Sequence, residues 1–313
     1  MPLDSSVVQQ LATLDRLGAL IDETFSVEEA RAVADAPAPA PTIKMHQVAD
    51  HQVSVEGGAI TVRTYQPTNA TDLPLLVWYH GGGWVVGTLD SYDAVCRSMA
   101  AMGNFAVASV GYRRAPEHKF PVAIDDAWAA TLWAIDNATG FGADGSRIAV
   151  AGDSAGGNIA AVIAMMARDR TEADSAAPNI IYQALIYPVV DDGTGDRPSW
   201  KVHAEGPFLT TDLMGWFYDQ YLNNGDNVDW RATPIKGRFD GLPPAFVLTA
   251  EYDPLRDEGE EYAELLAAAG VTTEVTRYDG MIHAFFRMEA EIPAALDAQA
   301  EVASKIRAAF GHA

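Results

Sequence analysis

Apolar residues near the start of the chain recur every three or four positions, from Val7 to Ile21. This spacing places them on one face of an amphipathic α-helix. Ser26, with Glu29 three residues later, has the pattern of a capping box. The pair therefore predicts that a second, short helix begins here and spans residues 27–33.

Most of the remaining chain alternates between short apolar runs and longer helical patterns. Two half-exposed strands are separated by Gly57-Gly58, which predicts a hairpin. Further strands are predicted at 75–79, 105–110, 148–151, 180–187, 245–250 and 271–278, and helices at 122–137, 154–168, 255–269 and 292–310. Alternation of this kind predicts an α/β protein with a mostly parallel sheet and helices on both faces.

Two segments interrupt this alternation. Residues 36–41 alternate Ala and Pro, which predicts a stiff connector that separates N-terminal helices (1–45) from the main body. Residues 195–230 are rich in aromatic side chains, which indicates either an apolar lid or a helix that packs its face on the core. The predicted core therefore consists of 46–194 and 231–313, with 195–230 as a cap insertion.

The charge balance of the chain narrows the classes of partner. The 313 residues include 21 Lys and Arg against 43 Asp and Glu, a formal net charge of −22. A nucleic-acid partner is not expected, because binding a phosphate backbone needs a basic face. Attraction to anionic lipid headgroups is disfavoured for the same reason. The excess of acid indicates either a strongly solvated surface or adaptation to high salt, and the sequence leaves both open.

Cysteine content and the N-terminus bear on cellular compartment. Cys96 is the only cysteine, so neither an intramolecular disulfide nor a cysteine-based metal site is expected. The first residues lack the basic start and apolar run of a signal peptide. The longest purely apolar stretch, residues 159–167, is less than half a membrane span. We expect a cytoplasmic protein without stable membrane association.

The predicted strand at 148–151 leads directly into Gly-Asp-Ser-Ala-Gly at 152–156 and then into an Ala-rich helix. Glycines two positions before and after a serine allow the very tight turn of a nucleophile elbow. Such a turn holds the serine in a strained conformation, with its hydroxyl exposed at the positive end of a helix. Ser154 is therefore the candidate nucleophile.

A run of three glycines follows the predicted strand at 75–79, as His80-Gly81-Gly82-Gly83. Consecutive glycines let the backbone fold back so that its N–H groups converge on one point. With the N–H of Ala155, they predict an oxyanion-binding site. A phosphate-binding loop is disfavoured because no Lys-Ser/Thr pair follows.

A nucleophilic serine needs a histidine base, and three histidines lie downstream of Ser154. His312 is the penultimate residue, and His203 lies in the aromatic insertion. His283 follows the last predicted strand after a predicted loop at 279–282, from which it can reach the carboxyl edge of the sheet. His283 is therefore the candidate base.

The histidine needs a carboxylate that fixes its tautomer. Asp253 follows the strand at 245–250, and Asp191, after the preceding strand, is the alternative. With Asp253 the order along the chain is Ser, Asp, His, as in α/β-hydrolases. His80 is expected to brace the glycine loop, and metal ligation by it or by His118 is not expected.

Five blocks in chain order resemble the hormone-sensitive-lipase family (family IV) of bacterial esterases and lipases; they span 80–84, 111–118, 152–158, 253–257 and 283–285. Arg114 stands where that family usually has leucine. The resemblance implies an α/β-hydrolase fold with a mostly parallel eight-stranded sheet, and a cap formed by the N-terminal helices and residues 195–230. It also implies Ser154, Asp253 and His283 as a catalytic triad, and Gly82, Gly83 and Ala155 as oxyanion donors.

These residues predict a carboxylic-ester hydrolase that acts on short- to medium-chain acyl esters through an acyl-enzyme, with no metal or organic cofactor. An amidase or peptidase with the same triad stays open, as does a non-catalytic ligand-binding protein, although the presence of Asp253 and His283 argues against the latter. The expected partner is a small-molecule ester. A homodimer through the strand at 271–278, a predicted sheet edge, is a further hypothesis. The residues expected to contact substrate are Trp84, Tyr187, Phe208, Leu209, Trp216 and Ile282.

Overall fold

A computed structural model describes residues 2–37, 42–174, 178–193 and 195–311. Most of the predicted Ala-Pro connector, residues 38–41, and His312 lie outside these ranges. Within them the chain forms eight strands: β1 (Gln47–Val55), β2 (Gly58–Gln66), β3 (Leu73–Tyr79), β4 (Ala106–Gly111), β5 (Ala143–Asp153), β6 (Ile180–Ile186), β7 (Ala245–Tyr252) and β8 (Thr273–Ile282).

The strands form one sheet in the order β1-β2-β4-β3-β5-β6-β7-β8. β2 pairs antiparallel with β1 and with β4, and every other neighbouring pair is parallel. All seven residues of β3 are buried, as expected for a central strand covered on both faces. The predicted α/β class and mostly parallel sheet are confirmed.

Helices cover both faces of this sheet. The described helices are α1 (Ser5–Leu17), α2 (Val27–Ala34), α3 (Asp93–Gly103), α4 (Val122–Asp136), α5 (Ala155–Ala173), α6 (Pro198–Val202), α7 (Thr211–Tyr221), α8 (Arg256–Ala268) and α9 (Pro293–Ala309). α4, α5 and α8 bury their apolar faces in one core, and α3 and α9 bury theirs in the core on the opposite face. In the described ranges, no helix combines the length and apolar content needed to cross a lipid bilayer.

Local capping interactions determine where the first two helices begin and end. α1 stops at Leu17, earlier than the apolar spacing predicts, because Gly18 adopts a left-handed conformation and its N–H bonds back to Asp15 and Leu14 carbonyls. The capping box of α2 is confirmed: Ser26 Oγ accepts the Glu29 N–H, and a Glu29 carboxylate oxygen accepts the Ser26 N–H.

The end of the last strand differs from the prediction. The loop expected at 279–282 is wrong, because β8 continues to Ile282 and His283 follows it directly. Gly280 has φ +75°, and the pairing of β7 with β8 shifts register between Ala250 and Tyr252. This irregularity lets the strand bend and resume pairing, although its Asp-Gly sequence is typical of a turn. α3 was also not predicted.

We predict that an ion pair between Asp126 of α4 and Arg113, which lies just beyond β4, supports the packing of this helix on the sheet. Asp126 is fully buried, and its carboxylate accepts hydrogen bonds from the Arg113 backbone N–H (3.0 Å), Nε (2.9 Å) and Nη2 (2.7 Å). Asp126→Ala leaves the Arg113 guanidinium without this partner, and we expect a loss of about 3 kcal/mol in the free energy of unfolding. Urea unfolding followed by circular dichroism measures it.

The neighbouring Asp125 provides a matched control, because its side chain is 53% exposed and its nearest ion-pair contact, Arg231 Nη1, is 3.9 Å away. Asp125→Ala is expected to cost less than about 1 kcal/mol. Equal losses in the two variants would contradict a special role for the Asp126 pair.

Candidate active site

Ser154 occupies the sharp corner between β5 and α5. Its φ of 57° and ψ of −121° are strained for a residue with a side chain. The flanking glycines make the corner possible, because a Cβ at Gly156 would lie 2.0 Å from the Tyr79 carbonyl oxygen. A Cβ at Gly152 would lie 2.4 Å from the Gly156 backbone. The corner is thus pressed directly against the end of β3.

His283 and Asp253 form a hydrogen-bonded chain with this serine. His283 Nε2 lies 2.9 Å from Ser154 Oγ, and His283 Nδ1 lies 2.6 Å from Asp253 Oδ2. Because an ionised carboxylate only accepts hydrogen bonds, Nδ1 carries the proton and Nε2 is free to accept one from the serine. Asp253 is fully buried, and its other oxygen accepts the Leu255 N–H at 2.9 Å. The imidazole is therefore held in the tautomer that a general base requires.

The alternative site residues lie elsewhere. The Asp191 carboxylate pairs with Arg197 Nη1 at 2.6 Å instead of with a histidine. His203 directly follows α6, and its Nε2 lies 3.4 Å from Arg256 Nη1. Hydrogen bonds thus join Ser154, His283 and Asp253, and neither Asp191 nor His203 takes part in this chain.

The glycine loop after β3 presents unpaired backbone donors. The Gly82 carbonyl accepts the N–H groups of Val85 and Val86, which closes a tight turn. In the described part of the chain, the N–H groups of Gly82 and Gly83 have no hydrogen-bond partner. Ala155 begins α5, so its N–H has no acceptor within the helix. These three donors are available to a developing oxyanion.

Asp153 ties the glycine loop to the elbow. Its Oδ1 accepts the Gly81 N–H at 3.0 Å, and its Oδ2 accepts the Tyr92 hydroxyl at 2.9 Å. Burial raises the pKa of this carboxyl. Asp153 had no predicted role, although its position directly before Ser154 is a signal present in the sequence.

His80 braces the same loop from inside, as predicted. Its Nδ1 donates to the Gly81 carbonyl at 2.8 Å, and the Tyr112 hydroxyl donates to the His80 carbonyl at 2.8 Å. Burial lowers the pKa of His80 to about 4, so the ring is neutral at physiological pH. Within the described ranges, no group of three or more His, Cys, Asp or Glu side chains is arranged to hold a metal ion.

A cavity of about 420 Å³ opens onto Ser154 and His283. Its wall includes the predicted contacts Phe208 and Leu209. The two N-terminal helices and α7 contribute mostly apolar side chains to it: Gln10, Leu14, Val33, Ala34, Leu213, Met214 and Phe217. Residues from 91–95 and 284–291, including the charged Arg287, Glu289 and Glu291, form other parts of the wall. The α7 residues lie within the aromatic insertion, but they were not among the predicted site residues.

The other four predicted contacts do not line this cavity. Trp84 stacks on Tyr221 with ring centroids 4.2 Å apart, and Trp216 packs edge-on against Phe217. Tyr187 and Ile282 are fully buried; Tyr187 packs on the His283 ring. These four side chains are therefore not part of the cavity wall, and their contact with substrate stays a prediction.

Comparison with known proteins places this geometry in context. The sequence signature of the alpha/beta hydrolase fold matches residues 76–287. The carboxylesterase NlhH of Mycobacterium tuberculosis is 46% identical over 245 residues, which cover 76% of this chain and 75% of that protein. An ethyl acetate hydrolase of Pseudomonas putida is 40% identical over 238 residues, covering 74% of this chain and 73% of that one.

Comparison with solved structures supports the same fold. A hyperthermophilic esterase from the archaeon Pyrobaculum calidifontis superimposes with a TM-score of 0.90 at 39% identity. The match covers 98% of this chain and 99% of that one.

The contact between α7 and the glycine loop generates a prediction. Gly83 has φ +56°, and a Cβ there would lie 2.2 Å from Phe217 Cδ1. Gly83→Ala displaces the loop, and we expect kcat on p-nitrophenyl acetate to fall about 100-fold, as for loss of one oxyanion donor. The double variant Gly83→Ala, Phe217→Ala removes the overlap, and part of the activity is expected to return.

Gly215 on α7 serves as the control glycine, because a Cβ there meets nothing within 4 Å. Gly215→Ala is expected to leave kcat unchanged. A Gly83→Ala variant with native kcat would show that the loop tolerates displacement at this point.

Proposed function

The chain belongs to the alpha/beta hydrolase family, and from this starting point we propose that it is a carboxylesterase that hydrolyses short- to medium-chain esters through an acyl-enzyme on Ser154. The observation that carries this proposal is the continuous hydrogen-bonded chain from Ser154 through His283 to Asp253. A ligand-binding protein has no need of such a chain, whereas nucleophilic catalysis by serine depends on it.

In the first half of the reaction, Ser154 Oγ attacks the ester carbonyl carbon while its proton passes to His283 Nε2. Asp253 stabilises the imidazolium through Nδ1–H and does not itself take the proton. The tetrahedral oxyanion accepts hydrogen bonds from the backbone N–H groups of Gly82, Gly83 and Ala155. Each such donor contributes about 3–4 kcal/mol to transition-state stabilisation.

Collapse of this intermediate breaks the bond to the alcohol oxygen, which takes the proton from His283. Water then enters, loses a proton to His283 Nε2 and attacks the acyl carbon. The second tetrahedral intermediate uses the same N–H donors. Its collapse releases the acid and returns the proton to Ser154 Oγ.

The size and lining of the cavity support small ester substrates. A volume of about 420 Å³ falls within the range of small-molecule pockets, about 300–1,000 Å³. Much of its wall is apolar and suits an acyl chain, while Ser154, His283 and the N–H groups of Gly82 and Gly83 provide polar groups that can orient the ester. Arg287, Glu289 and Glu291 add charged side chains to the same wall. The ethyl acetate hydrolase among the relatives supports the same substrate class.

Location and assembly complete the proposal. A cytoplasmic location is consistent with the single cysteine, which allows no intramolecular disulfide. β8 comes last in the sheet order, with β7 as its only strand neighbour in the described part of the chain. At Gly280 the N-terminal residues cover this edge, because the Gly280 carbonyl accepts the Asp4 N–H at 3.1 Å. The rest of the outer edge has no strand partner in the described ranges, which supports a homodimer formed through this strand.

The first experiment measures turnover of p-nitrophenyl acetate, butyrate, octanoate and palmitate by the native protein, Ser154→Ala and Ser54→Ala. Ser54 is exposed on β1, so its variant controls for serine replacement. We expect turnover of the short esters that is lost in Ser154→Ala and retained in Ser54→Ala. Turnover that survives in Ser154→Ala would refute the proposed nucleophile, and a parallel p-nitroanilide assay separates esterase from amidase activity.

The cavity wall generates a second prediction. Phe208 lines the cavity whereas Trp216 does not. Phe208→Ala enlarges the acyl-binding space, and we expect the ratio of kcat/KM for octanoate over acetate to rise about tenfold, since burying added methylenes contributes about 0.8 kcal/mol each. Trp216→Ala is expected to change this ratio less than twofold. Equal shifts of this ratio in both variants would contradict the assignment of Phe208 to the acyl-binding site.

A further inference from the structure

The glycine loop, which begins at His80 after β3, continues to Gly87. Its far end at Gly87 is held by the N-terminal part of the chain. Asp35 directly follows α2, and its Oδ1 accepts the Gly87 N–H at 2.6 Å. Arg114 Nη1 donates to Asp35 Oδ2 at 2.7 Å and to the Gly87 carbonyl at 2.9 Å. Both backbone polar groups of Gly87 are therefore engaged by one ion pair.

α2 contacts the loop at a second point, one helical turn earlier. Arg31 Nε donates to the Val85 carbonyl at 2.9 Å, and Nη2 donates to the Ala115 carbonyl at 2.8 Å. The guanidinium also pairs with both oxygens of Glu117, each at 2.7 Å. Such bidentate pairs fix orientation as well as distance. α2 and the residue that follows it thus hold the loop at Val85 and at Gly87.

Close packing connects Gly87 to the oxyanion end of the loop. Gly87 has φ +94°, and a Cβ there would lie 2.7 Å from both the Gly81 carbonyl oxygen and His80 Nδ1. Gly81 in turn donates its N–H to Asp153, the residue before Ser154. The Gly87 backbone therefore cannot shift far without moving the start of the loop, which directly precedes Gly82 and Gly83.

The segment that carries Asp35 is also part of the substrate cavity. Its neighbours Val33, Ala34, Ala36 and Pro37 line the wall. A substrate that packs against this wall therefore contacts the same short segment that holds Gly87. Substrate binding and the position of Gly87 therefore depend on the same residues, 33–37.

We propose that Asp35, held in place by Arg114, is a positioning residue for the oxyanion hole. It fixes Gly87 and so keeps the Gly82 and Gly83 N–H groups aimed at the tetrahedral oxygen. This inference rests on the proposed function, because it assigns Asp35 a part in stabilising the transition state of ester hydrolysis. Its signature is a loss in kcat with KM unchanged, since only the transition state carries the full oxyanion charge.

The test compares Asp35→Ala, Asp35→Asn and Arg114→Ala with a control, Asp144→Ala. Asp144 forms an ion pair with Arg147 of similar exposure to the Asp35–Arg114 pair, but lies near the opposite end of β5 from Ser154. Active sites are titrated with a p-nitrophenyl phosphonate, so that rates refer only to folded enzyme. Measurements are kcat and KM for p-nitrophenyl butyrate and the inhibition constant of a trifluoromethyl ketone, which forms a tetrahedral oxyanion with the serine.

We expect Asp35→Ala to lower kcat about 10- to 100-fold, as small misplacements of catalytic groups do, with KM within about twofold of native. The trifluoromethyl ketone is expected to bind more weakly by a similar factor. Asp35→Asn keeps an oxygen that accepts the Gly87 N–H but loses the acceptor for Arg114 Nη1, so only part of kcat is expected to return. Arg114→Ala is expected to fall between them, and Asp144→Ala to match the native enzyme.

A native kcat per titrated site in Asp35→Ala would overturn the inference, as would an equal loss in Asp144→Ala. A raised KM with unchanged kcat would assign Asp35 to the cavity wall alone. These outcomes leave the proposed function intact, because the native enzyme is active in each. A native protein that neither turns over esters nor reacts with the phosphonate would overturn both.

Discussion

The close approach of two backbone segments at the carboxyl end of the sheet is the constraint on which the site depends. Gly156, at the start of α5, lies so near the Tyr79 carbonyl that no side chain fits between them. This contact brings the corner that carries Ser154 against the loop that carries Gly82 and Gly83. Ser154 and the N–H groups of Gly82 and Gly83 are thus placed on adjoining segments by backbone packing, with strain at Ser154 as the local cost.

Buried polar groups then hold this arrangement in one conformation. The Asp153 carboxylate bonds to Gly81 and Tyr92, and neutral His80 bonds to the Gly81 carbonyl. Buried groups of this kind are costly when unpaired and rigid when paired. The donors of the loop are consequently preorganised before substrate arrives, which is the condition under which hydrogen bonds to an oxyanion contribute most.

The N-terminal helices and α7 contact the glycine loop as well as the cavity. α7 rests on Gly83 through Phe217, and its Tyr221 stacks on Trp84. The segment after α2 holds Gly87 through Asp35. These segments therefore contact the loop at two points, and residues that form the cavity wall are continuous with residues that contact the loop. Substitutions in these segments that change the cavity are expected to change loop geometry too.

The sequence by itself determined the α/β class, most strands and helices, and the candidates Ser154, Asp253 and His283. These follow from local rules: apolar period, glycine at a tight corner, and chain order of the chemistry-bearing residues. It did not determine the cavity wall, because Trp84 and Trp216 carry the same apolar signal as Phe208. Which of them lines the cavity depends on tertiary packing: Trp84 stacks on Tyr221, which is distant in the chain, and the orientation of α7 turns Trp216 away from the cavity.

The dependence on tertiary packing also explains two further features that the sequence did not predict, the end of β8 and the link between Asp35 and Gly87. The Asp-Gly pair at 279–280 is typical of a turn, yet pairing with β7 carries the strand through it to Ile282. The link between Asp35 and Gly87 joins residues 52 positions apart, and only the folded chain brings them together. Short-range patterns encode elements and reactive groups, whereas tertiary packing decides which side chains meet and what each surface faces.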